Sequence, residues 1–125
     1  MIRHQAPLAL GAAALASLVL IPATVRAQPE PSFRSTCADL RSAIGELGRT
    51  DEELITIEVV GPLSGVEFDG TLAYLTMCAP PDPAVLCVTY GTGGLEVGDV
   101  TALSGSFSQR GPDHVLLDPC LPSPP

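Results

Sequence analysis

The chain has no lysine and no tryptophan, and aromatic residues make up 4% of its 125 positions. Cations are scarce: six arginines stand against fourteen carboxylates. A nucleic-acid-binding surface needs a basic stripe to neutralise phosphates and release counterions. Attraction to anionic lipid needs the same sign of charge. The composition disfavours both. The longest apolar run, Leu8 to Ile21, has 14 residues, short of the roughly 20 that a spanning helix requires. No Cys-x-x-Cys occurs, and the cysteine spacings of 41, 9 and 33 match no zinc-binding pattern. The glycines around Thr92 lack the spacing and the lysine of a phosphate loop. No metal and no cofactor is therefore expected.

What is present begins with a processing signal. Arg3 and His4 precede the apolar run, Pro22 breaks it, and Val25-Arg26-Ala27 offers small residues where a signal peptidase cuts. Residues 1–27 are expected to be a cleaved signal peptide, leaving no membrane span. The remaining 98 residues carry four arginines and all fourteen carboxylates, a formal charge of −10. That length suits one small domain with a limited core. All four cysteines (Cys37, Cys78, Cys87, Cys120) lie in it. An even count behind an export signal implies two disulfides in a periplasmic or secreted protein. Of the three possible pairings, Cys78–Cys87 across a hairpin and Cys37–Cys120 between the ends are expected. The acidic surface fits a soluble monomer.

Residues 28–34, with two prolines, read as a flexible lead-in. Ser35 or Thr36 offers a helix N-cap, and Cys37, Leu40, Ile44 and Leu47 share one helical face, which predicts a helix over 36–47 ending at Gly48. From Leu54 to Val60 the pattern alternates, with Ile55, Ile57 and Val59 on one side: a half-buried strand. Gly61-Pro62 should bend it. Asp69-Gly70 is a strong hairpin signal. Two apolar runs follow, Leu72–Cys78 and Val85–Tyr90, separated by the Pro-rich turn 79–84. A Gly-rich connection over 91–98, where Leu95 and Val97 are placed to plug the barrel bottom, leads to a strand over 98–107. A polar turn at 108–113 and a last strand over 114–118 complete the domain, 35–120. The prolines beyond it predict a disordered tail over 121–125.

The strands at 56–65, 72–78, 85–90, 95–105 and 115–118, the first bent and the fourth opening Gly98-Asp99 and reaching Ser104-Gly105, resemble an OB-fold. The whole is similar to small uncharacterised exported bacterial proteins with such a barrel. The resemblance implies a mainly β protein with one N-terminal α-helix, built as a five-stranded Greek-key barrel and stabilised by disulfides. It also implies a ligand on the face of the second and third barrel strands and their neighbouring loops. Two features depart from the pattern: the usual helix between the third and fourth strands shrinks to 91–98, and the N-terminal helix is additional. The basic, aromatic ligand face is missing, Arg110 being the one lysine or arginine after Arg49.

Tyr74 and Tyr90, one on each of those two strands, are candidate stacking residues, with Arg110 as a candidate cation beside them. His114 adjoins Asp113 and follows several serines, but neighbours along a strand point to opposite faces, so no Ser-His-Asp site is read and a small hydrolase is the weakest alternative. Asp51-Glu52-Glu53 and Glu67-x-Asp69 match no calcium loop. The expectation is a non-enzymatic exported binding module for an unknown protein or small polar ligand. The alternative is a structural or envelope-stress protein without a specific ligand. Intact mass and N-terminal sequencing of the exported product should give Gln28 as the first residue; a product that keeps Met1 contradicts the cleavage.

Overall fold

The computed structural model describes residues 11, 13–20, 30–47 and 55–125. Most of the expected signal segment, the helix stop at Gly48 and the Asp51–Glu53 cluster lie outside them. Leu15, Leu18, Val19 and Leu20 are exposed, and none belongs to the core cluster. Among the described residues no helix is long and apolar enough to cross a membrane.

Strand β1 is Phe33–Thr36, helix α1 is Leu40–Leu47, and β2 to β6 are Thr56–Phe68, Ala73–Met77, Ala84–Thr89, Val100–Gly111 and His114–Ser123. The sheet runs β1-β2-β3-β4-β6-β5, and β5 returns to pair with β2. Strands β2 to β6 thus close a five-stranded OB-like barrel, with β4 and β6 parallel and the other barrel neighbours antiparallel.

The closure depends on β2. Its alternation buries Ile57 and Val59 and half-exposes Thr56, Glu58 and Val60, as the period-two pattern requires. Thr56–Pro62 pairs with β5, and Leu63–Phe68 pairs with β3, with a register shift between Leu63 and Gly65. The handover falls at Gly61-Pro62, where proline has no N–H to give a ladder. Just beyond it the Leu63 amide donates to the Asp99 carbonyl (2.9 Å), and the Gly98 amide donates to the Leu63 carbonyl (2.8 Å). The interior is filled by side chains such as Leu75, Met77, Val85, Leu103 and Leu117, all fully buried. Leu40, Ile44 and Leu47 of α1 join the same cluster. Leu95 packs against it, whereas Val97 is exposed.

Four expectations need correction. The lead-in is structured at its end: β1 lies parallel to β2 over Ile57–Val60, with Arg34 and Glu58 ion-paired across the ladder at 3.5 Å. The helix starts at Leu40, after a turn in which the Thr36 hydroxyl accepts from the Asp39 amide (3.3 Å). β5 runs on to Gly111, so the expected turn at 108–113 contracts to Pro112-Asp113. The tail is not disordered as far as Ser123: β6 continues through Pro119 and Pro122 and pairs with Ala102–Gly105. Prolines are tolerated there because β4 accompanies β6 only as far as Leu117, leaving an open edge that needs no N–H. The Thr101 hydroxyl adds a bond to the Ser123 carbonyl (2.8 Å).

The disulfides are Cys37–Cys78 and Cys87–Cys120, replacing both expected pairs. The hairpin register sets Leu75 opposite Cys87, three residues before Cys78. Three residues along a strand is about 10 Å, beyond the reach of a disulfide. Cys78 leaves β3 with φ of 70° and meets Cys37 ahead of α1. Cys87, on the last rung of the β4–β6 ladder opposite Leu117, bridges to Cys120 three residues further along β6, past the end of that ladder. With separations of 41 and 33 residues, each bond stabilises by roughly 4 kcal/mol in the chain-entropy account.

Gly105 sits opposite Cys120. A Cβ there would strike the Pro119 carbonyl oxygen and lie 3.0 Å from the Cys120 Cα, so the two strands meet backbone to backbone. Gly105→Ala should cost about 1–3 kcal/mol, the usual range for overpacking. Gly45→Ala, at an exposed helix position with open space around it, should stabilise by about 0.5–1 kcal/mol. Chemical denaturation of the two variants checks both signs.

Candidate functional site

The outer face of the barrel follows from the registers. In β3 and β4, Tyr74 opposes Val88 and Thr76 opposes Leu86. Across the parallel pair, Ala84 lies beside His114 and Leu86 beside Leu116. These positions alternate with the buried Leu75, Val85, Cys87, Val115 and Leu117, so they point outward. On this face lies a groove of about 720 Å³, lined by Thr76, Ala84, Leu86, His114, Leu116 and Arg110. The floor is apolar, and both basic side chains of the lining come from the β5–β6 end.

A bulge puts Arg110 there. Gln109 pairs with Val115 and Gly111 with His114, so Arg110 is the extra residue. Bulges re-aim the side chain they carry. Gly111 has φ of 154°, a conformation that side-chain-bearing residues seldom adopt. Of the arginines among the described residues, Arg34 is paired with Glu58 and Arg41 with Asp113, the latter at 2.7 Å, while Arg110 has no carboxylate partner. Arg41 also donates to the Pro81 carbonyl (2.8 Å), tying α1 to the β3–β4 turn and the β5–β6 turn. Asp113 therefore serves Arg41 and does not orient His114.

Tyr74 lies on the same outer face, one step along β3 from Thr76, but outside the groove lining. Its hydroxyl donates to Asp69 Oδ2 (3.1 Å). Asp69 Oδ1 accepts from the amides of Thr71 and Leu72 at 2.8 and 2.7 Å, closing the β2–β3 turn. These two amides, Leu72 first, hold the Asp69 carboxyl below its ordinary range, and the hydrogen bond to Asp69 pushes the Tyr74 phenol up. Asp69 is thus occupied in its own loop. Tyr90 stands past the end of β4 and is 78% exposed. The structure brings Arg110 to the groove and leaves both tyrosines out of its lining. His114, Leu86 and Leu116 were missed as site residues. The period-two pattern marks Leu86 and Leu116 as outward apolar residues, but nothing in it marks β4 and β6 as neighbours.

Among the described residues no three His, Cys, Asp or Glu side chains gather as a metal site. No protein-family model matches this chain, and no curated protein is significantly similar to it.

Asp69→Asn should return the Tyr74 phenol toward its ordinary value near 10, read by ultraviolet titration of the phenolate. The lowered Asp69 carboxyl makes the turn's contribution complete above about 3.8 and lost as pH falls through the folded value. The raised Tyr74 phenol gives the opposite sign, with its contribution lost as pH rises beyond 10.

Proposed function

We propose that this is an exported, non-catalytic binding module: a disulfide-clamped OB-like barrel that takes its ligand on the outer face of β3, β4 and β6. The observation that carries the reading is the groove. It has an apolar floor, a volume of about 720 Å³ and, at one end, an arginine without a carboxylate partner. Ligand sites are concave and mostly apolar, roughly 300–1,000 Å³, with a few placed polar groups that set orientation. Leaving Leu86 and Leu116 side by side on a solvent face costs burial that the fold could otherwise use, about 25 cal/mol for each Å². In a protein this acidic, an unneutralised guanidinium beside them is a specific feature. The ligand-bearing face lies one strand over from the OB-fold expectation, centred between β4 and β6 with Thr76 of β3 on its border.

Export is supported by the charged, apolar and small-residue order of residues 1–27. The two disulfides agree with it, since such bonds persist in oxidising compartments. The non-catalytic reading rests on the groove lining, where His114 has one arginine, one threonine and otherwise apolar residues for company, and on Asp113 being paired with Arg41.

Amide NMR of the oxidised chain against a panel of carboxylates, amines, neutral amphiphiles and short peptides tests the site. Shifts should concentrate at Ala84–Leu86 and His114–Leu116. Leu86→Asp should abolish them while leaving the melting midpoint near that of the parent. A panel whose ligands perturb only other surfaces removes this face as the site.

A further inference from the structure

We infer that the ligand of this groove is an anionic amphiphile: a medium-length apolar chain lying along β4 and β6, with its carboxylate against Arg110 and beside His114. The inference rests on the binding-module reading and names the ligand class.

Three observations select this chemistry. The first concerns the floor. Its outward residues Ala84, Leu86 and Leu116 offer only hydrocarbon, with the Thr76 side chain at the border. The strands beneath pair with neighbours on both edges here: β4 with β3 and with β6, and β6 with β4 and with β5. Their N–H and C=O groups are committed to ladders, so an extended peptide laid on this face would find no backbone partners and would leave its own polar groups unsatisfied. A hydrocarbon body meets no such cost.

The second concerns the head. A guanidinium is a planar fork that pairs bidentately with a carboxylate. Arg34 and Arg41 are already paired with Glu58 and Asp113, and Arg110 is held at the groove by the β5 bulge. The chain's net negative charge does not forbid an anion at this point: Asp113, the carboxylate next to His114, is paired with Arg41, and charges beyond roughly 8–10 Å are largely screened at physiological ionic strength.

The third fixes the direction and the length. At the opposite end of the same face stand Asp118, two residues past Leu116 on β6, and the Tyr74–Asp69 pair. Asp118 is close enough to Tyr74 for its charge to be felt by the phenol. A carboxylate placed there would be repelled, so the head belongs at Arg110. From His114 to Asp118 is four strand residues, about 13 Å, which bounds the apolar body to a medium-length chain.

The test uses the full oxidised chain and three probes with one ten-carbon body: decanoate, decan-1-ol and decylammonium. Decanoate should bind tightest and shift the amides of Ala84–Leu86, Arg110 and His114–Leu116. Arg110→Gln should weaken decanoate by about 10- to 100-fold, the worth of a charge-assisted hydrogen bond, and leave decan-1-ol unchanged. Equal affinity for decanoate and decan-1-ol, tighter binding of decylammonium, or indifference of decanoate to Arg110→Gln overturns the assignment of the head group. If all three probes fail while another member of the wider panel shifts the same amides, the ligand class is wrong and the groove stands. If no ligand shifts these amides, the binding-module reading falls with it.

Discussion

Where β5 passes β6 at Gly105, the two backbones are separated by no side chain on one of them. Much of the architecture leans on that approach. It lets β5 pair with β2 along one edge and with β6 along the other over nearly its whole length, which closes the barrel. It also brings Cys120 inward to Cys87, so the covalent clamp and the close crossing occupy the same spot. A bulkier residue at 105 would push the second half of β6 outward and pull against the disulfide, and the interior apolar layer would lose a wall. The Cβ of a buried core residue usually supplies packing; here its absence does.

The groove depends on the same arrangement at one remove. β6 must lie between β4 and β5 for Leu116 to sit beside Leu86, and it can do so only if its far half is received by β5. The bulge that turns Arg110 toward the groove lies five residues beyond Gly105 on the same strand. Core and site therefore share one structural element. The interior half of each residue pair fills the barrel, and the exterior half furnishes the candidate binding face.

What the sequence made legible was local. Ile55, Ile57 and Val59 declared a half-buried strand by alternation, Gly61-Pro62 declared its bend, and Asp69-Gly70 declared the turn that Asp69 now closes with its carboxylate. The order of five strands sufficed for the barrel. Pairings between distant segments were not legible. Cys78 and Cys87 flank one turn, which suggests partners, yet register puts Leu75 opposite Cys87. Pro119 and Pro122 suggest the end of order, since a proline excludes itself from a central strand; whether a strand is central or at an edge is decided by its neighbours. The site was legible in one residue, Arg110, through the scarcity of cations. The apolar floor was not, because it joins β4 to a strand that follows it by some thirty residues and runs parallel to it.

The order of the disulfides has a further consequence. The first cysteine joins the second and the third joins the fourth, so the two covalent loops follow one another along the chain and neither encloses the other. In a chain that enters an oxidising compartment amino end first, Cys37 and Cys87 each find their native partner to be the next cysteine to arrive. Plain oxidation in order of emergence then yields the native connectivity, with no wrong bond to be broken by thiol exchange. An interlaced or nested pairing, such as the one that joins the two ends, would have required the chain to wait or to reshuffle. The barrel's covalent frame is thus one that vectorial delivery assembles correctly by itself.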